Sequence, residues 1–578
     1  MQDAGDRMQD AGCKMQDEGD IPEMVARLLD EGKIVAIKGL GGMHLACDAF
    51  SEKAVARLRE IKNREAKPFA VMFANLKSAK EFAFIDEASG ASLLSWRRPI
   101  VLLEGKPGNG PLKLASNISS GLSLIGIMLP YMPFHYQLFE VMKTRAIVLT
   151  SGNLSDEPIL IDNTKALEQF SSLANAVVLH NRDIYNRTDD SVVRIIGGKE
   201  RVFRRSRGYV PSPVRLGLET EGILAFGAEL TNCFCVGKGH KAFLSQHIGD
   251  LKGLDTTLFY EETLERFIRL FRVKPSLLAV DLHPDYISTR TAEGFGKLTI
   301  IQVQHHHAHI ASCMAEHRLD ETVIGVAFDG TGYGDDGHSW GSEFFICDLN
   351  GYRRMTHFGY LPLPGGDAGS EEPWRMAVSW LYKVYQREFT SLDLPVIKEN
   401  KAEDIEMLIM MMDRKINSPL TSGAGRMFDA VASLLGLCQF ARFQAQGPML
   451  LESLAAKDCT EAYPWTGGDV ICLDDTLKGI VADLGAGVEK SIIASKFHNT
   501  VISIIFETVK GIRSGEGINK VVLSGGVFQN KYLLEGTESL LRESKFEVFS
   551  HAAVPSNDGG IALGQLAVAA KKRELKCV

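Results

Sequence analysis

The chain has 578 residues, 45% of them hydrophobic, and its 64 Lys and Arg against 72 Asp and Glu give a formal net charge of −8. This length is enough for two or three domains with their own hydrophobic cores. No apolar run reaches the length of a bilayer span and no signal-peptide core is present, so we predict no membrane partner. The acidic total also argues against a nucleic-acid partner. Ten cysteines without a CxxC pair are typical of a reducing compartment, which predicts a cytoplasmic protein.

The first residues repeat a seven-residue pattern that begins at Met1, Met8 and Met15. A heptad period can indicate a coiled coil, but each repeat here has a single large apolar position and a glycine, which argue against one. We therefore predict a disordered tail or linker remnant over residues 1–20.

An α+β or α/β unit follows this tail. Residues 23–31 predict a short amphipathic helix with Pro22 at its start and Gly32 at its C-cap, and residues 33–37 predict a strand. Strand and turn signals then alternate with helical ones. Cationic residues cluster where loops would converge, namely Lys38, Lys62, Arg64, Lys67, Arg194, Arg204, Arg205 and Arg207.

The charge of this half points to an anionic ligand. From His180 to Arg215, nine Lys or Arg stand against four Asp or Glu. Because nucleic acid usually needs a longer basic surface, a small phosphorylated substrate fits this local excess better. An alternative stays open, in which the arginines pair with Asp183, Asp189 and Asp190 on a solvated face.

Residues 21–212 resemble the YrdC-like domain of the HypF family, which is related to the enzyme that makes threonylcarbamoyl-adenylate. The matching motifs are Lys38-Gly-Leu-Gly-Gly-Met-His-Leu45, Lys62-Asn-Arg-Glu-Ala-Lys-Pro68, Arg98-Pro-Ile-Val-Leu102, Gly126-Ile-Met-Leu-Pro-Tyr131, Leu149-Thr-Ser-Gly-Asn153, His180-Asn-Arg-Asp-Ile-Tyr185 and Arg204-Arg-Ser-Arg-Gly-Tyr209. The resemblance implies that the catalytic residues, which hold phosphates, are Lys38, Lys62, Arg64, Arg194 and Arg205. It implies that the nucleotide is bound by Lys67, Ser151, Asn153, His180 and Arg182.

Near the middle of the chain, four histidines stand within five residues. His305 and His309 are four residues apart, so on a helix both imidazoles project from one face and can chelate a divalent ion. His306 and His307 then point elsewhere. The alternative that these histidines only cap or hydrogen-bond a polar helix stays open at this point.

Three glycine-rich turns follow buried strands. Residues 329–334 lie between two apolar runs and predict a β-hairpin, and residues 227–232 repeat the pattern upstream. At residues 521–530 a strand breaks at paired glycines before a helix, whose N-terminus adds N–H donors. Two strand-turn-strand units and one strand-GlyGly-helix unit are typical of the two-lobed ATPases of the actin, sugar-kinase and heat-shock group. Asp558, at another turn, can complete a metal site with His305 and His309.

Residues 219–578 resemble the carbamoyltransferase domain of the HypF family, itself similar to the tRNA threonylcarbamoyl transferase TsaD. Nine motifs carry this resemblance, among them Leu244-Ser-Gln-His-Ile-Gly-Asp250, Asp281-Leu-His-Pro-Asp-Tyr286, Val303-Gln-His-His-His-Ala-His-Ile-Ala311 and Asn557-Asp-Gly-Gly560. The resemblance implies that His305, His309 and Asp558 hold a divalent metal, Zn or Fe, and that ATP binds with Mg. It implies a nucleotide cleft lined by Asp329, Gly330, Thr331, Gly332, Gly365, Gly366, Asp367, Gly425, Asp429, Gly525, Gly526 and Asn530, with Asp429 at the ribose.

The chain departs from the family pattern in two ways. Full-length HypF proteins begin with an acylphosphatase-like domain and zinc-binding CxxC pairs, and neither is present here. Gln444 stands where the family usually has a glutamate, so a role for that carboxylate is not expected. Cys577, one residue from the end, is interpreted as a tail thiol.

We therefore predict an α/β and α+β protein with a YrdC-like domain followed by a two-lobed, TsaD-like ATPase domain. The resemblance implies a carbamoyltransferase that makes carbamoyl-adenylate from ATP and carbamoyl phosphate. It then transfers the carbamoyl group to the C-terminal cysteine of a HypE-type protein, for the cyanide ligands of nickel-iron hydrogenase. The alternatives are an O-carbamoyltransferase for a small-molecule hydroxyl, a tRNA threonylcarbamoylation fusion, and a non-catalytic nucleotide-gated binding module.

Overall fold

The computed structural model describes residues 20–106, 113–153 and 157–576. The chain divides into two compact units. The first runs to Val210 and also includes Gln246–Thr263, and the second comprises Pro211–Ser245 and the chain from Leu264 onward. Apart from its last residue, the predicted tail over residues 1–20 lies outside the described residues, and so does Cys577.

The first unit is built on a single mixed sheet. Its strands are β1 (Val35–Lys38), β2 (Met43–Asp48), β3 (Ala70–Phe73), β4 (Ile100–Glu104), β5 (Leu124–Met128), β6 (Ala146–Ser151), β7 (Ala176–Val178), β8 (Val192–Ile196) and β9 (Lys199–Arg204). They lie in the order β7-β1-β2-β6-β3-β5-β4-β8-β9. Its helices are α1 (Ile21–Asp30), α2 (Glu52–Lys62), α3 (Leu76–Phe82), α4 (Glu87–Leu94), α5 (Pro133–Val141) and α6 (Asn163–Phe170).

Helices cover both faces of this sheet. Successive side chains of a strand point to opposite faces, and in β1 Ala36 enters one apolar core while Val35 and Ile37 enter the other. Helices α1 and α5 contribute to the core of Val35, whereas α2, α3, α4 and α6 contribute to the core of Ala36. Burial on both faces explains why inner strands such as β3 and β6 are nearly continuous apolar runs.

The predicted N-terminal helix and strand are confirmed with shifted ends. Helix α1 ends at Asp30, and Gly32 has a φ of +74°, as its place after a helix predicts. The strand begins at Val35, not at residue 33. Lys33 still belongs to the helix end, since its N–H donates to the carbonyl of Leu28.

The second unit contains two sheets. The first has β10 (Val214–Arg215), β11 (Ile223–Ala225), β12 (Cys235–Lys238), β13 (Lys241–Leu244), β14 (Leu277–Asp281) and β15 (Thr299–Val303), in the order β10-β13-β12-β11-β14-β15. The second has β16 (Val323–Tyr333), β17 (Ser339–Cys347), β18 (Tyr352–Thr356), β19 (Leu361–Pro362), β20 (Leu420–Thr421), β21 (Lys520–Ser524) and β22 (Glu547–Ser550). Its order is β19-β20-β17-β16-β21-β22, with β18 beside β17.

Helices surround these two sheets. They are α7 (Leu254–Phe271), α8 (Ile287–Glu293), α9 (His305–His317), α10 (Ala368–Glu371), α11 (Pro373–Tyr385), α12 (Pro395–Lys398), α13 (Ala402–Asp413), α14 (Ala424–Leu434), α15 (Gln446–Leu454), α16 (Asp474–Gly485), α17 (Lys490–Glu516), α18 (Lys531–Glu543) and α19 (Ile561–Glu574). Helix α7 starts in the segment that belongs to the first unit. Among the described helices, none combines the length and the apolar character that crossing a membrane would require.

The predicted hairpin over residues 323–347 is confirmed, but its turn was placed wrongly. Strand β16 continues through Asp329 to Tyr333, with an irregularity in its pairing to β17 between Phe328 and Gly332. The chain reverses later, where the Gly334 N–H donates to the carbonyl of His338. Glycine is compatible with a bulged strand as well as with a turn. The glycine pattern alone therefore could not place the reversal.

Helix α9 occupies the centre of the second unit. It starts directly after β15 because the side chain of Gln304 accepts a hydrogen bond from the His307 N–H and caps the helix. Its residues from His305 to Ala315 are buried. Helix α19 packs closely against it, since a Cβ at Gly564 would overlap the carbonyl oxygen of Ala308. The chain therefore holds the histidine-bearing turn in a rigid environment.

Candidate functional site

Two histidines and two carboxylates converge at the start of α9. His309 Nε2 lies 2.9 Å from Asp329 Oδ2 and 3.6 Å from Asp558 Oδ1. His305 Nε2 lies 3.6 Å from Asp329 and 3.8 Å from Asp558. One ligand atom from each residue can be chosen so that all four lie within 4.8 Å of one another. The structure thus brings together the three predicted metal residues and adds Asp329, which was predicted only for the nucleotide.

This cluster fits a divalent metal. Two imidazole nitrogens with two carboxylate oxygens suit zinc and iron alike. The Nε2 atom of His305 is buried and has no hydrogen-bond partner among the described residues. A buried nitrogen without a partner is costly unless something occupies its lone pair. The donor set and this nitrogen both support the predicted ligand role.

Mutual contacts shift the pKa values in this cluster. Burial alone would raise the pKa of Asp329, but its contacts with His305 and His309 hold it well below its usual value. Burial would likewise lower the pKa of His305, and the carboxylate of Asp281 outweighs it, so the pKa is raised well above the usual value. Asp558 shows the reverse, since burial raises its pKa and its contact with His309 only partly opposes the shift.

Asp281 orients one of the two histidines. It is the last residue of β14, and its Oδ2 lies 2.9 Å from His305 Nδ1, with both side chains fully buried. A carboxylate at Nδ1 fixes the ring so that Nε2 faces the cluster. The sequence analysis noted the motif that begins at Asp281 but gave this residue no role. A carboxylate at the end of a buried strand was the available signal.

The other two histidines point elsewhere, as predicted. His307 Nε2 lies 2.7 Å from the carbonyl oxygen of Asp348. The ring of His306 faces Trp340, with centroids 6.3 Å apart. Gly332 makes this packing possible, because a Cβ there would lie 2.5 Å from His305 Cδ2 and 2.6 Å from His306 Cε1. Its absent side chain therefore leaves room for the histidine rings.

Several predicted nucleotide residues surround Asp329. A Cβ at Gly526 would lie 3.1 Å from Asp329 Oδ1, so the turn after β21 passes directly beside this carboxylate. Gly525 in the same turn has a φ of +103°. On the other side, a Cβ at Gly425 would lie 2.9 Å from the Cα of Gly330. Backbone without side chains on both sides of one carboxylate can admit a phosphate.

Asp429 lies one turn beyond Gly425 on α14. Burial raises its pKa to about 6, although the guanidinium of Arg426 opposes the shift. The Nη2 atom of Arg426 is 3.0 Å from Asp429 Oδ2. The single arginine contact does not offset the burial of this carboxylate. Such a group is suited to accept hydrogen bonds from a ligand hydroxyl. Its predicted place at a ribose stays a prediction.

The remaining predicted cleft residues are placed differently. Asn530 caps α18, accepting from the Leu533 N–H, and its amide nitrogen lies 2.9 Å from His498 Nε2. Thr331 is exposed, and its hydroxyl lies 2.7 Å from Ser339 Oγ. Both side chains are therefore engaged within the protein. A structural role accounts for these contacts as well as a nucleotide role would.

The turn at residues 365–367 lies after β19. Gly365 and Gly366 have φ values of +93° and +58°, so this turn needs glycine at both positions. The charge of Asp367 affects the pKa of His283. Burial lowers the pKa of His283, and the carboxylates of Asp281 and Asp367 are among those that oppose this shift.

In the first unit, Lys62 is buried among oxygen atoms. Its Nζ donates to the carbonyls of Ser151 and Asn153, both at 2.7 Å, and to Asn153 Oδ1 at 2.6 Å. Burial, together with the neighbouring charges of Arg64 and Lys67, lowers the pKa of Lys62 to about 7. Ser151 Oγ lies 2.8 Å from Asn153 Oδ1. The structure thus joins five predicted residues in one cluster, which we call the Lys62 cluster.

Other predicted residues of this unit lie nearby or in adjoining loops. Lys38 donates to the backbone carbonyl of His180 at 3.2 Å, while the side chains of His180 and Arg182 are exposed. Arg194 and Arg205 are buried, at 8% and 5% exposure. Burial of so many cations is unusual for a purely structural surface and favours an anion site.

The alternative pairing of arginines with aspartates is found in part. Arg204 Nη1 lies 2.7 Å from Asp189 Oδ2, and Arg207 Nη2 lies 2.7 Å from Asp190 Oδ1. These pairs are partly or largely buried, and Asp183 is exposed. Arginine–aspartate pairs therefore exist in this unit, but they are not on a solvated face.

Comparisons with known proteins agree on one family. Family models match residues 27–206 (Telomere recombination, of the Sua5, YciO and YrdC group), 219–316 (HypF Kae1-like domain) and 325–565 (Carbamoyltransferase, Kae1-like Domain, second subdomain). Carbamoyltransferase HypF2 of Cupriavidus necator is 38% identical over 96% of this chain and 73% of its own length. Carbamoyltransferase HypF of Rhizobium leguminosarum is 38% identical over 95% of this chain and 72% of its own length. The chain belongs to the HypF family of carbamoyltransferases.

A solved HypF structure supports the same assignment. The crystal structure of a full-length HypF in its phosphate- and nucleotide-bound form has a TM-score of 0.92 and 46% identity, covering 96% of this chain and 73% of that one. The HypF fold confirms the predicted class, a YrdC-like domain with Kae1-like domains and mixed sheets. Membership of this family makes the chain an enzyme and disfavours the non-catalytic binding module.

Two features of this HypF chain bear on residues that sequence reasoning weighed or missed. Gln444, at the family's usual glutamate position, is exposed in the turn before α15.

A second set of buried contacts reaches helix α9. Ser524 Oγ lies 2.8 Å from His551 Nε2, and His551 Nδ1 lies 3.0 Å from Glu316 on α9. Because Ser524 is completely buried, this chain of contacts braces α9 against the strand that leads into Gly525.

Proposed function

We propose that this HypF protein forms carbamoyl-adenylate in its first unit and transfers the carbamoyl group in its second. The substrates are ATP, bound with Mg, and carbamoyl phosphate. The acceptor is the C-terminal cysteine thiol of a HypE-type protein, and the product serves cyanide ligand synthesis in nickel-iron hydrogenase maturation. The observation that carries the proposal is that one chain contains two distinct sites with different chemistry. One is the Lys62 cluster, and the other is the group of His305, His309, Asp329 and Asp558, which we call the His305 cluster.

The Lys62 cluster suits adenylate formation. Water hydrolyses carbamoyl phosphate to carbamate and inorganic phosphate. A carbamate oxygen then attacks the α-phosphorus of ATP, and pyrophosphate leaves. Negative charge then grows on the α-phosphate and on the leaving group. Lys62 and Arg64 are held in place by fixed oxygens before any ligand binds. Such preorganised cations favour the transition state over the ground state.

The His305 cluster suits the transfer step. A thiol sulfur forms a bond to the carbamoyl carbon, the bond to the AMP oxygen breaks, and the thiol proton goes to solvent or to a basic group. When bound, a divalent metal would act as a Lewis acid toward the nucleotide phosphate. His305, His309, Asp329 and Asp558 would hold it, and Gly330 in strand β16 and Gly526 in the turn after β21 bring bare backbone close to Asp329. The nucleotide-bound form of a HypF relative supports nucleotide binding by this chain.

The test separates the two steps with paired variants. AMP and pyrophosphate release from ATP is measured with and without carbamoyl phosphate, and mass spectrometry then follows a purified HypE-type acceptor. We expect Lys62→Met to stop carbamoyl-dependent AMP formation, and His309→Ala to lose metal and transfer but keep AMP formation. Lys80→Met and His240→Ala, at exposed positions, serve as controls.

Other outcomes would redirect the proposal. Equal loss of both steps in both variants would contradict the division between the two units. Carbamoyl-dependent AMP formation without any gain of mass on the acceptor cysteine would favour an O-carbamoyltransferase, to be checked with small-molecule hydroxyl acceptors.

A further inference from the structure

A segment from the second half of the sequence belongs structurally to the first unit. Strand β13 ends at Leu244 within the second unit, and Gln246–Thr263 then forms part of the first. This segment holds most of the family motif that runs from Leu244 to Asp250. Neither composition nor periodicity indicated this exchange.

The segment contacts the loop at residues 187–190 and the strand end beside it. Gln246 is buried, and its Nε2 donates to the carbonyl of Arg187 at 3.1 Å. The His247 N–H donates to the carbonyl of Arg205 at 3.0 Å. Further along, the guanidinium of Arg187 lies 5.4 Å from the ring centroid of Phe259. Two hydrogen bonds thus hold the backbone at Arg187 and Arg205, and the third contact holds the side chain of Arg187.

The same loop carries Asp189, whose carboxylate is paired with Arg204 and affects the pKa of Lys62. Burial would raise the pKa of Asp189, but Arg204 most strongly, then the Asp190 N–H and His247, lower it. Asp189 in turn opposes the burial that lowers the pKa of Lys62. The loop is also bound to the Lys38 turn, since the Thr188 N–H donates to the carbonyl of Gly41 at 3.0 Å. The segment therefore contacts the loop at residues 187–190, which carries Asp189 and is hydrogen-bonded to the turn after Lys38.

We propose that Gln246 is a positioning residue of the adenylate-forming site in the first unit. Its side chain holds the loop at residues 187–190, and the backbone N–H of the next residue, His247, holds the carbonyl of Arg205. This inference rests on the proposed function, because it assigns the Lys62 cluster to ATP. The resemblance assigned the motif from Leu244 to Asp250 to the carbamoyltransferase domain, whereas this inference assigns part of it to adenylate formation.

The experiment measures carbamoyl-dependent AMP and pyrophosphate formation by the full chain. Gln246→Ala should lower kcat/KM for ATP by about 10- to 100-fold, the cost expected when catalytic groups are misplaced by about 1 Å. Gln246→Met, which keeps the length of the side chain but cannot donate to the Arg187 carbonyl, should show a similar loss. Metal content and melting temperature should stay unchanged, and His240→Ala should behave as wild type.

Wild-type kcat/KM in Gln246→Ala and Gln246→Met would overturn the inference. If the unmodified chain forms no AMP, the proposed function fails, and direct ATP binding decides the inference. The relevant binding is then the component that Lys62→Met removes. Loss of that component in Gln246→Ala would support positioning, and its full retention would overturn it.

Discussion

The Asp281 carboxylate lies 2.9 Å from His305 Nδ1, with both side chains fully buried. Strand β14 and helix α9 are thereby joined at the ring that faces Asp329 and Asp558. The contact fixes which nitrogen is left for a metal, and it makes the ring a stronger ligand.

Replacing Asp281 by Asn should weaken metal binding by about 10- to 100-fold, because an amide supports the ring less well than a carboxylate. The affinity is measured by competition with a chelator, with metal content as a second readout. Asp285→Asn, at an exposed position on the following loop, is the matched control. Equal affinities for the two variants would show that Asp281 does not tune the site.

Gly332→Ala should disrupt the same site by crowding. The new Cβ would lie 2.5 Å from His305 Cδ2, and overpacking of this kind typically costs about 1–3 kcal/mol of stability. We expect loss of bound metal together with a lower melting temperature. Gly351→Ala, where the added carbon meets nothing within 4 Å, should leave both unchanged. Full metal content in Gly332→Ala would argue that the rings can move aside.

Lys62 should make ATP binding in the first unit depend on pH. Burial lowers its pKa to about 7, and a lysine is charged only below its pKa. The affinity for ATP should therefore fall as the pH rises through this value. The dissociation constant for ATP is measured by direct binding in a pH series that brackets it, with Lys62→Met as the reference for the titration of ATP itself. Identical pH profiles in the two proteins would exclude Lys62 as the responsible group.

Asp429 should contribute to the pH dependence of stability. Burial raises its pKa from 3.8 to about 6, so the native state binds the proton more tightly than the unfolded state. Its contribution to the free energy of unfolding is therefore largest below 3.8 and is lost as the pH rises through about 6. The change is about 3 kcal/mol for a shift of two units.

Asp429→Asn removes this titration. The difference in melting behaviour between wild type and variant should change with pH inside that window and stay constant above it. Parallel curves throughout the window would show that Asp429 titrates normally in the native state.

Local patterns in the sequence were sufficient for some parts of the site. The spacing of His305 and His309 is a property of one helix, and α9 indeed begins at His305. The paired glycines after β21 likewise form a turn before a helix, as predicted. Both predictions depend only on neighbours within a few residues.

Other parts depend on contacts between distant segments. Asp329 lies within a strand and reaches the histidines only because β16 extends past the predicted turn. Asp281 precedes His305 by a whole strand and a helix, so no periodicity connects them. The same holds for Gln246–Thr263, whose membership of the first unit no local signal encodes. Such relationships appear only when strand order and packing are known.

The residues around the His305 cluster come from a strand, a helix, a long hairpin and a turn that lie far apart along the chain, from Asp281 to Asp558. Contacts between such distant positions form late, because long loops must close first. During synthesis, a growing chain that has not yet reached Asp558 can offer only part of this ligand set. The complete set of four ligands should therefore be one of the last features to form as the enzyme folds.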